Sequence, residues 1–176
     1  MQKLSLILCV FFLFASTSHA TSDKNKARKL FADYQEQQAQ LPTKDKIARL
    51  KIIIRLDRKF ADAYAALAKE HLDAGTLDDR VKAIKYIQKA ILLQPKNPYF
   101  RYLDGKISLQ RDQYFHRTEM AKKAFEKAIA LKPDYGEAHF QLGLLAEKSF
   151  LDHQNVVSIH ADWQIRFSKF AIKDAL

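Results

Sequence analysis

The chain has 176 residues, 48% of them hydrophobic and 28% charged, with a formal charge of +10. Those proportions exclude disorder along most of its length and suit one domain with its own apolar core. Only four Gly and four Pro interrupt it, too few for the turns of an all-β fold, whereas the helix formers Ala, Lys, Leu, Gln and Glu are plentiful, so an all-α fold is expected.

Residues 1–20 read as a secretory signal peptide. Lys3 precedes a mostly apolar run from Leu4 to Ala15, and small and polar residues follow, ending in Ser18-His19-Ala20; this layout predicts cleavage after Ala20. The run is shorter than the roughly 20 apolar residues a spanning helix needs. Cleavage would remove one Lys and no acid, leaving 29 basic against 20 acidic residues. It would also remove Cys9, the only cysteine, so the exported chain is expected to rely on its core without a disulfide. The expected location is the periplasm or the exterior.

Next come the pieces of a degenerate N-terminal helix pair over residues 21–58. Asn25 to Gln40 would be its first helix, broken at Leu41-Pro42, and Lys46, Leu50, Ile53 and Arg58 keep the spacing of a second. The densest basic stretch lies here: Lys44, Lys46, Arg49, Lys51, Arg55, Arg58 and Lys59 against Asp45 and Asp57. A solvated helix face explains it. The same face supports an alternative function, a membrane-surface component retained by an uncleaved N-terminal helix and in peripheral contact with anionic lipid. The export signal argues against nucleic acid as a partner.

From residue 59 a unit repeats. Ala83, Ile87, Ala90 and Pro95 recur 38 positions later as Ala121, Phe125, Ala128 and Pro133. Upstream of these sets lie Tyr64, Leu67, Ala68 and His71, then Arg101, Asp104, Gly105 and Ser108, and a third copy reads His139, Leu142, Gly143 and Ala146. Two helices per unit are implied, over 59–95, 96–133 and 134–176. Small residues (Ala68, Gly105, Gly143) let the paired helix approach, while Leu67, Ile87, Phe125 and Leu142 fill the gaps. Pro95 and Pro133 end the second helices. In the last unit Ala161, Ile165, Ser168 and Lys173 keep the spacing, and Trp163, Phe167 and Phe170 on one side, with Ile165 and Ile172 on another, form apolar faces suited to a second copy of the chain or to another protein.

The ordered set resembles the tetratricopeptide repeat over most of residues 44–173. The resemblance implies a right-handed superhelix of stacked antiparallel helix pairs. It implies a protein-interaction scaffold or adaptor of the cell envelope, which binds a partner segment in a concave groove lined by the first helix of each unit. Position by position, that groove would present Asp62, Ala65, Lys69 and Leu72, then Tyr99, Tyr102, Lys106 and Leu109, then Phe140 and Leu144 between Glu137 and Glu147. Tyrosines suit such a surface because they bury apolar area and still donate a hydrogen bond. Lys69 and Lys106 would favour a protein or peptide with acidic segments. Asn is absent from these positions, which disfavours the subgroup that clamps chaperone C-terminal carboxylates. The spacing between small residue and second helix exceeds the family's, so Asp73 to Asp79, Gln113 to Arg117 and Phe150 to Val157 are expected as enlarged loops along one edge.

Catalysis finds no support in the sequence. There is no glycine-rich phosphate loop, no HExxH pair and no GxSxG elbow, so no cofactor or metal is expected. His153 and His160 with Asp152 and Asp162 are the one set that could gather a metal, and His71 and His139 sit at packing positions of the repeat.

Overall fold

A computed structural model describes residues 21–110 and 114–149, without the side chains of 114–116. Within them the chain is helical over 21–37 (α1), Thr43–Leu56 (α2), Ala61–Ala74 (α3), Leu77–Leu93 (α4), Pro98–Leu109 (α5), Tyr114–Leu131 (α6) and 136–149 (α7). The signal peptide, the set His153, His160, Asp152 and Asp162, and the apolar side of Trp163, Phe167 and Phe170 lie outside the described residues.

Local chemistry sets the boundaries. Gly75 ends α3 at φ 76°, a left-handed conformation that only glycine adopts cheaply, and its N–H reaches the carbonyl of His71. Thr76 then caps α4: its Oγ1 accepts from the Asp79 N–H at 3.1 Å while its hydroxyl donates to the Asp79 carboxylate at 2.6 Å. Asn97 caps α5 through the N–H of Tyr99, with Pro98 in the first turn, where its missing donor costs nothing. α4 and α6 stop at Leu93 and Leu131, two residues before Pro95 and Pro133.

One expectation is corrected by these caps. Asp73 to Asp79 is not an enlarged loop: Asp73 and Ala74 complete α3, and Leu77, Asp78 and Asp79 form the first turn of a 17-residue α4, which leaves Gly75 and Thr76 as the turn. A glycine that reverses the chain in one step, followed at once by a capping threonine, lets the extra residues lengthen helices instead. In the second segment the chain is likewise helical from Tyr114 onward, and the third lies outside the described residues.

The helices stack in layers with a core at each junction. Ala27 and Tyr34 of α1, Leu50 and Ile53 of α2, and Ala63 and Leu67 of α3 form the first. Ala61, Ala65, Ala68 and Leu72 on the other side of α3 meet Ala83, Ile87 and Ala90 of α4 and Phe100, Leu103 and Ile107 of α5. The third joins Ala121, Phe125 and Ala128 of α6 to Ala138 of α7, with Tyr102, Leu109 and Tyr135 against it. Alanine on both faces of α3 lets that helix touch neighbours on two sides. Gly105 shows how close the contact is: a Cβ there would lie 2.4 Å from a ring carbon of Phe125.

Candidate functional site: the cleft of the first helices

Three first helices share one cleft of about 700 Å³. α1 contributes Phe31, Tyr34 and Gln35, and Gln38 follows just past its end, the four standing at i, i+3, i+4 and i+7. Phe60 precedes α3, which adds Asp62, Ala65, Ala66 and Lys69, and α5 closes the far side with Tyr99 and Phe100. The walls are largely aromatic. Phe31 packs against Phe60 with ring centroids 4.9 Å apart, and Phe31 lies 5.9 Å from Tyr34.

The groove residues expected from sequence separate into four groups. Lys69 and Tyr99 line the cleft, with Asp62 and Ala65 beside them. Lys106, Phe140 and Leu144 are exposed, the last two at 64% and 44%. Tyr102 and Leu109 are half-buried against the third core, where Tyr102 packs on Phe125 and Tyr135 at 5.8 and 5.3 Å. Leu72 is a correction: it is 4% exposed inside the second core and presents nothing to a ligand. It falls on the side of α3 that faces α4 and α5, and so it packs like Ala61, Ala65 and Ala68.

Sequence reasoning missed the α1 wall. Its signal was available, because Phe31, Tyr34, Gln35 and Gln38 stand at the spacing of one helix side in a segment already read as the first helix of a pair. Phe60 and Phe100 were missed as well.

Charges in and behind the cleft are unevenly paired. Lys69 is held by Asp73 at 2.7 Å, one turn along α3, and this hydrogen bond, ahead of an opposing burial effect, raises its pKa. Behind the wall, the Tyr34 hydroxyl donates to buried Glu70 at 2.9 Å, and Lys46 of α2 stands 3.7 Å from the same carboxylate. Burial, then the hydrogen bond to Glu70, pushes the Tyr34 phenol far above its ordinary range. Asp62 differs: it has no hydrogen bond or ion pair among the described residues, and burial alone raises its carboxyl above the ordinary 3.8.

Both repeat-position histidines do structural work. His71 is buried, stacks on Tyr86 at 5.6 Å and meets the Asp79 carboxylate through Nδ1 at 2.8 Å. The hydrogen bond from Thr76, then that of His71, holds Asp79 below the ordinary carboxylate range. His139 reaches the carbonyl of Pro133 at 2.8 Å, tying the start of α7 to the turn before it.

Paired antiparallel helices whose first members line a common cleft decide the architecture. The chain has the tetratricopeptide-repeat fold. No family model and no curated protein matches its sequence, yet solved structures do. A Thermobaculum terrenum O-GlcNAc transferase mutant superposes with a TM-score of 0.60 at 20% identity over 70% of this chain, which spans 22% of that protein's length. MamA gives 0.58 at 26% identity, with 80% of this chain covering 78% of MamA. The first tetratricopeptide domain of Spaghetti (RPAP3), bound to an HSP90 peptide, gives 0.56 at 18% identity over 74% of this chain and 93% of that domain.

Proposed function

We propose that this protein is a non-catalytic interaction scaffold of the cell envelope, exported by residues 1–20 and cleaved near Ala20. It holds a segment of a partner protein in the cleft of its first helices. Support comes from the cleft itself, in which Phe31 and Tyr34 of α1, Phe60 just before α3, and Tyr99 and Phe100 of α5 turn an aromatic wall toward one open space. Packed helices of this kind offer a preformed surface, and aromatic side chains supply buried area at small entropic cost. The Spaghetti domain, similar in fold, is bound to a peptide. Beyond the cleft, exposed Lys106 on α5 suits an acidic residue of the same segment.

The test is affinity capture from envelope extract with wild type beside Tyr99→Ala plus Lys106→Glu. Wild type is expected to retain a partner that the double variant loses at least tenfold. Equal recovery by both proteins would remove the cleft assignment. N-terminal sequencing of the exported protein checks the rest: a start at Thr21 is expected, whereas an intact Met1 would favour the membrane-retained alternative.

A further inference from the structure

The charge arrangement of the cleft points to a more definite occupant. Of the two ionised groups that line it, Lys69 already has its counter-ion in Asp73, and Asp62 has none. They lie seven residues apart on α3, about two helical turns, so the satisfied cation and the unsatisfied anion occupy different ends of the cleft. The other acids nearby are committed: Glu70 to Tyr34 and Lys46, Asp73 to Lys69. A half-buried carboxylate without a partner is costly to the folded chain, and a bound cation removes that cost.

The cleft that Asp62 lines suits a long basic side chain. Phe31, Phe60 and Tyr99 line the same space and provide apolar surface for a methylene stem and ring faces for a cation. Gln38 donates its side-chain N–H to the backbone carbonyl of Gln35 at 3.1 Å, which leaves its Oε1 to accept from a ligand. A carboxylate, an amide oxygen and π faces match a guanidinium, which has five N–H donors and stacks on rings.

We infer that the cleft between α1, α3 and α5 is a specificity pocket for an arginine side chain of the bound segment, with Asp62 as the counter-ion and Phe31, Phe60 and Tyr99 as the walls. This deepens the scaffold reading and rests on it. The preference opposes the bias toward acidic segments expected from Lys69, because that lysine already has an ion-pair partner within its own helix. The chain's net charge of +10 gives no long-range attraction for a basic partner, so the selectivity is short-range and local.

The experiment is an NMR titration of the isotopically labelled full chain with Nα-acetyl-arginine amide, and with Nα-acetyl-glutamate amide as the counterpart. Saturable shifts are expected at the amides of Asp62, Ala65 and Ala66 with the first compound and none with the second. Asp62→Asn should weaken arginine binding about tenfold, and Asp62→Lys should reverse the preference, both with unchanged helical circular dichroism. If the arginine compound moves none of these amides, or binds Asp62→Asn as tightly as wild type, the pocket assignment is overturned. Loss of arginine binding with partner capture still dependent on Tyr99 and Lys106 would overturn the pocket alone and leave the scaffold standing.

Discussion

Gly105 and Gly143 occupy the same place in successive repeats, yet among the described residues their surroundings differ. Around Gly105 the ring of fully buried Phe125 comes so near that an added Cβ would meet three of its atoms at 2.4 to 2.8 Å. At Gly143 an added Cβ would meet nothing within 4 Å among the described residues outside its own helix, and Phe140 and Leu144 beside it are exposed. A small residue is therefore half of a device. It gains meaning only from the large side chain of the second helix, and α6 supplies that side chain to α5.

The contrast can be broken most forcefully from the Phe125 side. Phe125→Ala is expected to cost about 3 to 5 kcal/mol, read by chemical denaturation; a loss below about 1 kcal/mol would mean that the α5–α6 seam is not closed by this ring. The paired glycines sharpen it further. Gly105→Ala should cost about 1 to 3 kcal/mol, because a buried aromatic ring has to move, whereas Gly143→Ala should gain about 0.5 to 1 kcal/mol from helix propensity. Equal losses at both sites would show that α7 is as tightly covered as α5.

The smallest effect lies at the third kind of surface, the open cleft. Burial raises the Asp62 pKa above the 3.8 of an exposed chain, so the folded state holds that proton more tightly than the unfolded one. The charged carboxylate therefore detracts from stability at neutral pH, and the loss is returned as pH falls through the raised value. Asp62→Asn should be more stable than wild type at pH 7 by no more than about 0.5 kcal/mol. The gap should narrow as pH falls and close only below the 3.8 of the unfolded chain, as followed by denaturation at neutral pH and at about pH 3.

Much of this architecture was readable in advance, for reasons that particular residues make plain. Ala83, Ile87 and Ala90 and their counterparts Ala121, Phe125 and Ala128 lie in the cores, because helix packing writes itself into sequence as small and large residues at fixed intervals. The Asp73 to Asp79 segment misled because spacing measures residues between landmarks and is blind to whether they coil; Gly75 and Thr76 settle that by local chemistry. Leu72 misled for a related reason: matching positions along a repeat does not say which side of α3 a residue turns to, and α3 has neighbours on two. Asp62 and Lys69 were legible as charges, and the Asp four residues after Lys69 offered the sequence signal of its pairing, but that Asp62 stands without a partner is shown by the structure.

The hydroxyl of Tyr34 gives the cleft a property that its outline does not. The same side chain that forms part of the wall is fastened at its tip to Glu70 of α3, with Lys46 of α2 on the other carboxylate oxygen. One carboxylate thus braces three helices from behind, as a strut holds a shelf. An incoming side chain meets a backstop already set in position, so little ordering is left to be done on arrival, and the grip of the cleft depends on an acid its occupant never touches.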